Sequence, residues 1–135
     1  MNYDDLTDFF GPPIHVVTRA DLLADGQLVD VSAEAHKTGF RAPCAVTAGV
    51  WGLIEADPTA VGRRDVTRRL RHVLYSAYCY ACLHPNAHVG HFHLYLTTPE
   101  NSLAPPHDQL VTLKLIAGPD DVGETVLTVL LPEED

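Results

Sequence analysis

Long apolar runs are missing from this sequence, and so are the marks of a secreted chain. No run of apolar residues approaches the roughly eighteen that a membrane-spanning helix requires. The first residues, Met1 to Asp5, are polar and acidic, whereas a secretory signal has a basic start and an apolar core. Cysteine is scarce, and three residues leave one unpaired, which does not indicate a disulfide framework. The sequence predicts a soluble cytoplasmic protein in a reducing compartment.

Basic residues are also scarce: nine lysines and arginines stand against eighteen acids, and the formal net charge is −9. Because nucleic-acid affinity depends on neutralising phosphates with basic side chains, direct nucleic-acid binding is not expected. A chain of 135 residues fits one compact domain. We predict an acidic N-terminal arm at 1–13, which ends in Pro12-Pro13, and a single α+β domain at 14–135.

Catalytic motifs are missing as well. The sequence contains no Gly-x-Ser-x-Gly, no Walker loop and no Gly-x-Gly-x-x-Gly. Cys44 follows Pro43, but no neighbouring residue would orient a base toward its thiol. The acids cluster at the termini and in turns, which does not indicate a carboxylate pair for acid–base catalysis. The sequence predicts that the protein is not an enzyme and needs no cofactor.

Short helices are predicted where a capping residue precedes an apolar pair and a helix stop follows. The predicted N-caps are Thr18, Ser32 and Thr47, and Asp21 follows Thr18 at the capping-box spacing of three residues. The predicted ends are Gly26, Gly39 and Glu55. Trp51 is expected to anchor the third of these helices in the core. Short strands are predicted at Ile14–Val17 and Leu28–Val31, and a short extended piece ends at Thr47.

One long helix is predicted over 63–83, because its apolar residues form a single stripe from Val66 to Ala81. It should end at His84, since Pro85 disfavours helical geometry in the residue before it. From residue 91 onward the apolar period changes to two, in three runs: Phe92–Leu96, Val111–Leu115 and Leu127–Leu131. The fold class predicted is α+β. An antiparallel β-meander of three or more strands in the C-terminal half packs against a long central helix and two or three short helices, all on one face of the sheet.

Seven potential metal ligands crowd into one stretch: His72, Cys79, Cys82, His84, His88, His91 and His93. Cys79 and Cys82 share a helix face, and His91 and His93 share a strand face, so that together they could hold a zinc ion. A site of histidines alone, His84, His88, His91 and His93, is a further alternative. Against a shared ion, we expect the cysteines to pack inward as small apolar residues and the two strand histidines to face solvent. Thioredoxin-like chemistry is not expected, because its Cys-x-x-Cys lies at a helix N-terminus and this one lies near a C-terminus.

Five arginines cluster where the long helix begins: Arg63, Arg64, Arg68, Arg69 and Arg71. Cations at a helix N-terminus oppose the helix dipole, at a cost of a few tenths to about 1 kcal/mol each at low salt. One interpretation is a solvated helix face. The other is a docking surface for an acidic partner, which makes these arginines candidate interaction residues.

Several stretches resemble a family of uncharacterised proteins from bacterial plasmids, integrated elements and phages, described only as a domain of unknown function. The residues that carry the resemblance are Ile14–Arg19, Ala24–Ser32, Ala45–Trp51, Leu110–Leu115, Gly118–Asp121 and Leu130–Glu133. The resemblance implies an accessory protein of mobile elements, and it implies no activity or site. The Cys/His stretch departs from the family's pattern, so a metal role would belong to this member alone.

The leading functional hypothesis is a non-enzymatic accessory protein of mobile elements that binds a host or element-encoded protein. One form of it is an inhibitor of a bacterial defence complex of the CRISPR type, whose basic nucleic-acid channel would attract acidic surfaces. The first alternative is a zinc protein that uses the Cys79–His93 cluster. The second is a regulator of transcription or plasmid transfer that acts through the arginine-bearing helix. The sequence does not indicate the oligomeric state.

Overall fold

The structure is a computed structural model that describes residues 17–56, 63–98 and 107–134, with the side chains of 63–65, 97–98 and 107–108 left aside. The arm predicted at 1–13 and most of the strand predicted at Ile14–Val17 lie outside these residues. The elements are α1 (Arg19–Ala24), β1 (Leu28–Asp30), α2 (Ser32–Thr38), β2 (Cys44–Thr47), α3 (Ala48–Glu55), α4 (Arg63–Leu83), β3 (Val89–Thr98), β4 (His107–Pro119) and β5 (Thr125–Leu130). Within the described part, no helix is both long and apolar enough to cross a membrane.

The five strands form one mixed sheet in the order β1-β2-β5-β4-β3. The last three pair antiparallel with their neighbours in the chain, which confirms the predicted meander. β1 and β2 extend it, and β2 runs parallel to β5, with Val46 opposite Val129. This parallel pair was not predicted, because its strands are far apart in the sequence and no local sequence pattern indicates such a pairing.

Helix ends follow the local chemistry in most cases. Thr18 and Asp21 form the predicted capping box, in which each side chain accepts a hydrogen bond from the other's backbone N–H. Thr47 caps α3 by accepting from the backbone N–H of Val50. The predicted cap at Ser32 is wrong by one residue: Val31 precedes α2, and the Ser32 hydroxyl donates instead to Asp30 at 2.6 Å.

The core lies between one face of the sheet and helices α2, α3 and α4. Its fully covered side chains are Ile54, Leu74, Leu113, Val46, Val50, Val73, Val129 and Cys44. Trp51 is only partly buried at the margin of this core, and Val50 and Ile54 anchor α3 instead. The 21 residues of α4 supply the longest stripe of the helical layer, as the periodicity predicted.

α1 lies on the opposite face of the sheet, which corrects the expectation that all helices cover one face. The Arg19 guanidinium reaches across to β5, where it donates to the Thr128 hydroxyl at 2.7 Å and to the Leu127 carbonyl oxygen at 3.0 Å. Asp121, in the turn after β4, accepts from the backbone N–H groups of Arg19 and Ala20. The Arg19 side chain thus attaches α1 to β5, and the first backbone N–H groups of α1 attach it to the turn after β4.

The C-terminal residues complete the same face. The Glu134 carboxylate accepts from the Thr47 hydroxyl at 2.8 Å and from the Leu131 backbone N–H at 2.9 Å. Lys114, a buried residue of β4, donates from Nζ to the backbone carbonyl of Glu134. A buried cation needs such a partner, because an unpaired one would carry the full desolvation penalty.

Candidate interaction surface

The two cysteines of the Cys-x-x-Cys are exposed on α4, and Cys44 on β2 is the buried one. The expectation that Cys79 and Cys82 pack inward is therefore wrong. Val73 and Ala77 face the sheet and are fully buried. Cys79 follows Ala77 by two residues, about 200° around the helix. The helical phase set by the apolar stripe thus determined the direction of the thiols, and the usual burial of cysteine did not.

His91 and His93 lie on the solvent face of β3, as predicted. They alternate with Phe92 and Leu94, which are buried against α4. His93 Nδ1 lies 2.9 Å from the Thr112 hydroxyl of β4, so one ring nitrogen already has a protein partner. The histidines thus face away from the layer that contains the two thiols.

The predicted zinc ligands are not brought together. The thiols point outward from α4, and the imidazoles point outward from the far side of the sheet. Across residues 17–56, 63–98 and 107–134, no group of three His, Cys, Asp or Glu side chains lies close enough to hold a metal ion. That range includes both predicted ligand sets, the mixed one and the one of histidines alone.

Tyrosines flank both thiols. Tyr75 precedes Cys79 by one helical turn, and a hydrogen bond with the thiol raises the pKa of the Tyr75 phenol above its ordinary value. Tyr78 stands in the same relation to Cys82, and there too the hydrogen bond raises the pKa of the phenol. Tyr78 also packs edge-on against Phe40 at a ring-centroid distance of 5.3 Å. Tyr75 remains 61% exposed, so it is the tyrosine that a partner could reach.

The arginine cluster divides into different environments. Arg69 is buried and donates to the carbonyl oxygens of Ile54 and Leu53 at the end of α3, so it does not belong to a docking surface. Arg71 is exposed and forms an ion pair with Glu34 of α2 at 2.9 Å. Arg68 is exposed. The side chains of Arg63 and Arg64 lie outside the described residues.

The solvent side of α4 is thus a stripe of mixed character. We call Arg68, Tyr75, Cys79 and Cys82 the outer stripe of α4; Leu83, 78% exposed, follows at its end. No aspartate or glutamate occurs anywhere from residue 66 to residue 98, although the chain contains eighteen acids. This gap in the acids was visible in the sequence, and it covers α4 from Val66 onward and all of β3. The nearby Glu34 of α2 is paired with Arg71.

Most described acids, by contrast, bind groups of the protein itself. Their carboxylates accept hydrogen bonds from amides, hydroxyls and cations; the acids concerned are Asp21, Asp25, Asp30, Glu34, Asp120, Asp121 and Glu134. They cap helices, close turns and attach the C-terminal residues. Their spacing therefore follows the needs of the fold.

A cavity of about 270 Å³ opens beside α1, with Arg19, Cys44 and Asp121 in its wall. Arg19 and Asp121 already hold α1 on the sheet. Burial raises the pKa of the Cys44 thiol to about 12, so that it stays protonated at neutral pH and is a poor nucleophile. Arg19 and Asp121 thus stabilise the fold, and the thiol in this cavity is unreactive. Sequence reasoning missed Arg19 and Asp121, because they meet across more than a hundred residues.

Comparison with known proteins gives a family and no relative of known role. The chain matches no curated protein and no solved structure. Residues 6–135 match a protein family described as a family of unknown function, DUF6573. This match spans nearly the whole chain and agrees with the resemblance to a domain of unknown function. The chain therefore belongs to this family of unknown function.

Proposed function

We propose that the protein acts in the cytoplasm by binding another protein, without catalysis of its own, and that the partner contacts the outer stripe of α4. The observation that carries the proposal is the exposed Tyr75 on a stretch of α4 that contains no acid from Val66 onward. Tyrosine and arginine are enriched at the centres of protein interfaces, and exposed apolar groups beside them favour contact over solvation. The stripe combines these residue types in a chain whose other surfaces are acidic.

The partner should present an acidic or neutral segment to this stripe. Arg68 is the cation of the outer stripe and lies in the first half of α4. An acidic segment would meet this cation there and the tyrosine and thiol groups farther along the helix. The resemblance to accessory proteins of mobile elements supports a host or element-encoded protein as this partner.

Imitation of nucleic acid, as a route to inhibiting a CRISPR-type complex, gains no support from the acids described. They accept hydrogen bonds from the protein's own amides, hydroxyls and cations. Regulation through DNA binding by the arginine cluster is also less well supported, because Arg69 is buried and Arg71 is paired with Glu34. Docking through the outer stripe is therefore the form of the hypothesis that we retain.

The test is partner capture from the bacterial host with wild-type and variant protein, followed by an affinity measurement on the purified pair. Tyr75→Glu places an acid in the stripe and should weaken binding at least about tenfold. Tyr95→Glu is a matched control, because Tyr95 is equally exposed at 63% but lies on β3. Retained binding by Tyr75→Glu, or equal loss in both variants, would contradict the assignment of the stripe.

A further inference from the structure

β3 forms one edge of the sheet, and its outer side is a row of backbone groups. The backbone N–H of Ala117 donates to the carbonyl oxygen of His88 at 2.8 Å, just before β3 begins. In the unbroken register that follows, Val89 lies opposite Ile116. Even-numbered residues therefore turn their N–H and C=O toward β4, and odd-numbered residues turn theirs outward. The Tyr95 carbonyl confirms the phase, because it accepts from His72 Nε2 of α4 at 2.9 Å.

The outward groups of Val89, His91 and His93 therefore form an open edge. Within the described residues, no strand pairs with this side of β3. The His72 side chain covers the edge at Tyr95 only. The opposite edge of the sheet, β1, is three residues long and is flanked by α1, so it offers little to a further strand.

β3 also carries none of the devices that normally keep an edge strand from pairing. Lysine, inward-pointing charges, proline and bulges are the usual ones. β3 contains no lysine, acid or proline over ten residues, and its one-to-one register with β4 leaves no bulge. Val89 and Tyr95 are more than half exposed beside the edge. Nothing in the composition of β3 therefore prevents a further strand from pairing with its outer edge.

The distribution of charged residues indicates which strand pairs with the outer edge of β3. Two copies of a chain with net charge −9 repel each other over most of their surfaces. Residues 66–98, which include α4 from Val66 onward and all of β3, contain no acid. This side is therefore where a second copy can approach at the lowest electrostatic cost. An antiparallel strand pair also satisfies a two-fold axis, because each outward donor meets the mate's acceptor.

We propose that two copies of this chain pair antiparallel along the outer edges of β3 and so join their sheets into one continuous sheet. The pairing uses the open groups from Val89 to His93, since His72 occupies the Tyr95 carbonyl. It does not depend on the proposed function. The outer stripe of α4 points away from the sheet, so the dimer presents two copies of the stripe to a partner.

The experiment is sedimentation of the full chain, wild type and variants, over a concentration series. The wild type should reach twice the chain mass of 14.8 kDa at about 100 µM, a concentration above the Kd of an ordinary stable interface. His93→Pro removes one outward N–H that makes no bond to β4, and it should weaken the dimer at least about tenfold. His93→Lys puts a charge within the paired stretch and should do the same with the backbone intact.

His93→Ala is the matched control, because it removes the imidazole and keeps the N–H, so it should stay dimeric. Circular dichroism and a melting curve for each variant establish that the monomer is folded. A wild type that stays monomeric at about 100 µM overturns the proposal. So does a dimer that survives both His93→Pro and His93→Lys, or one that His93→Ala abolishes, since its contacts would then lie elsewhere. Loss of the dimer with partner binding retained would separate this result from the proposed function.

Discussion

The Arg69 guanidinium, on α4, donates from Nε to the carbonyl oxygen of Ile54 at 2.8 Å, at the end of α3. Nη2 of the same side chain donates to the Leu53 carbonyl at 2.6 Å. The last carbonyls of a helix have no partner within it and carry the negative end of its dipole. One buried cation therefore joins two helices and satisfies the end of the shorter one.

Arg69→Ala should lower the free energy of unfolding by about 2–4 kcal/mol, because it leaves two helix-end carbonyls without their charged donor. Arg68→Ala, one residue earlier and exposed, should change it by less than about 1 kcal/mol. Urea unfolding followed by circular dichroism measures both. Equal losses in the two variants would show that Arg69 has no special role.

Gly90 permits a close contact with Tyr80, and substitution there should be destabilising. A Cβ at Gly90 would lie 1.6 Å from the Tyr80 hydroxyl oxygen, and the Tyr80 ring also contacts His84 at a centroid distance of 4.5 Å. Gly90→Ala should therefore cost about 1–3 kcal/mol of overpacking strain. Gly52→Ala is the control, because nothing lies within 4 Å of its Cβ, and in a helix it should stabilise by about 0.5–1 kcal/mol. Thermal and urea unfolding decide the signs, and two changes of the same sign would contradict the contact.

The three thiols should react in two classes. Cys79 and Cys82 are exposed, whereas burial raises the pKa of Cys44 to about 12. At pH 8 a thiol reagent should therefore modify two groups of the native protein rapidly and the third only on unfolding. Cys44→Ser should leave the rapid phase unchanged, while Cys79→Ser should halve it. Rapid modification of all three groups in the native wild type would contradict the burial of Cys44.

Purified protein should contain no stoichiometric zinc. The two predicted cysteine ligands point outward from α4, whereas the two predicted histidine ligands point outward from the opposite side of the sheet. A chelator should leave the melting temperature unchanged, and so should Cys82→Ser. Elemental analysis and thermal unfolding measure these quantities. One zinc ion per chain that Cys82→Ser removes would revive the zinc hypothesis.

The ion pair between Glu34 and Arg71 should make stability depend on acid pH. The hydrogen bond from Arg71 lowers the pKa of Glu34 from its ordinary value of 4.5. A lowered folded-state pKa contributes stability above the ordinary value, and that stability is lost as the pH falls through the folded value. Glu34→Gln should cost less than about 1 kcal/mol at pH 7, since both groups are partly exposed, and this cost should shrink as the pH falls through the folded value. Glu133→Gln serves as the control. A cost for Glu34→Gln that grows as the pH falls would reverse the assignment.

Local patterns predicted much of the secondary structure. The Thr18–Asp21 capping box, the N-cap at Thr47 and the end of α4 before Pro85 all depend on residues within one helical turn. The alternation along β3 likewise placed His91 and His93 on the solvent face. The error over Cys79 had a different origin, because the general preference of cysteine for burial was given more weight than the helical phase of its neighbours.

The sequence by itself determined the α+β class, the meander and the absence of acids from residues 66–98, because composition and short-range periodicity are local properties. Only the tertiary structure decided that β2 runs parallel to β5, that Arg69 ends α3 and that Arg19 holds α1 on the second face. Those contacts join residues from fifteen to more than a hundred positions apart. These contacts depend on how the elements pack, and a short stretch of sequence carries no information about that packing. The same packing separated the thiols from the histidines that the sequence places so close together.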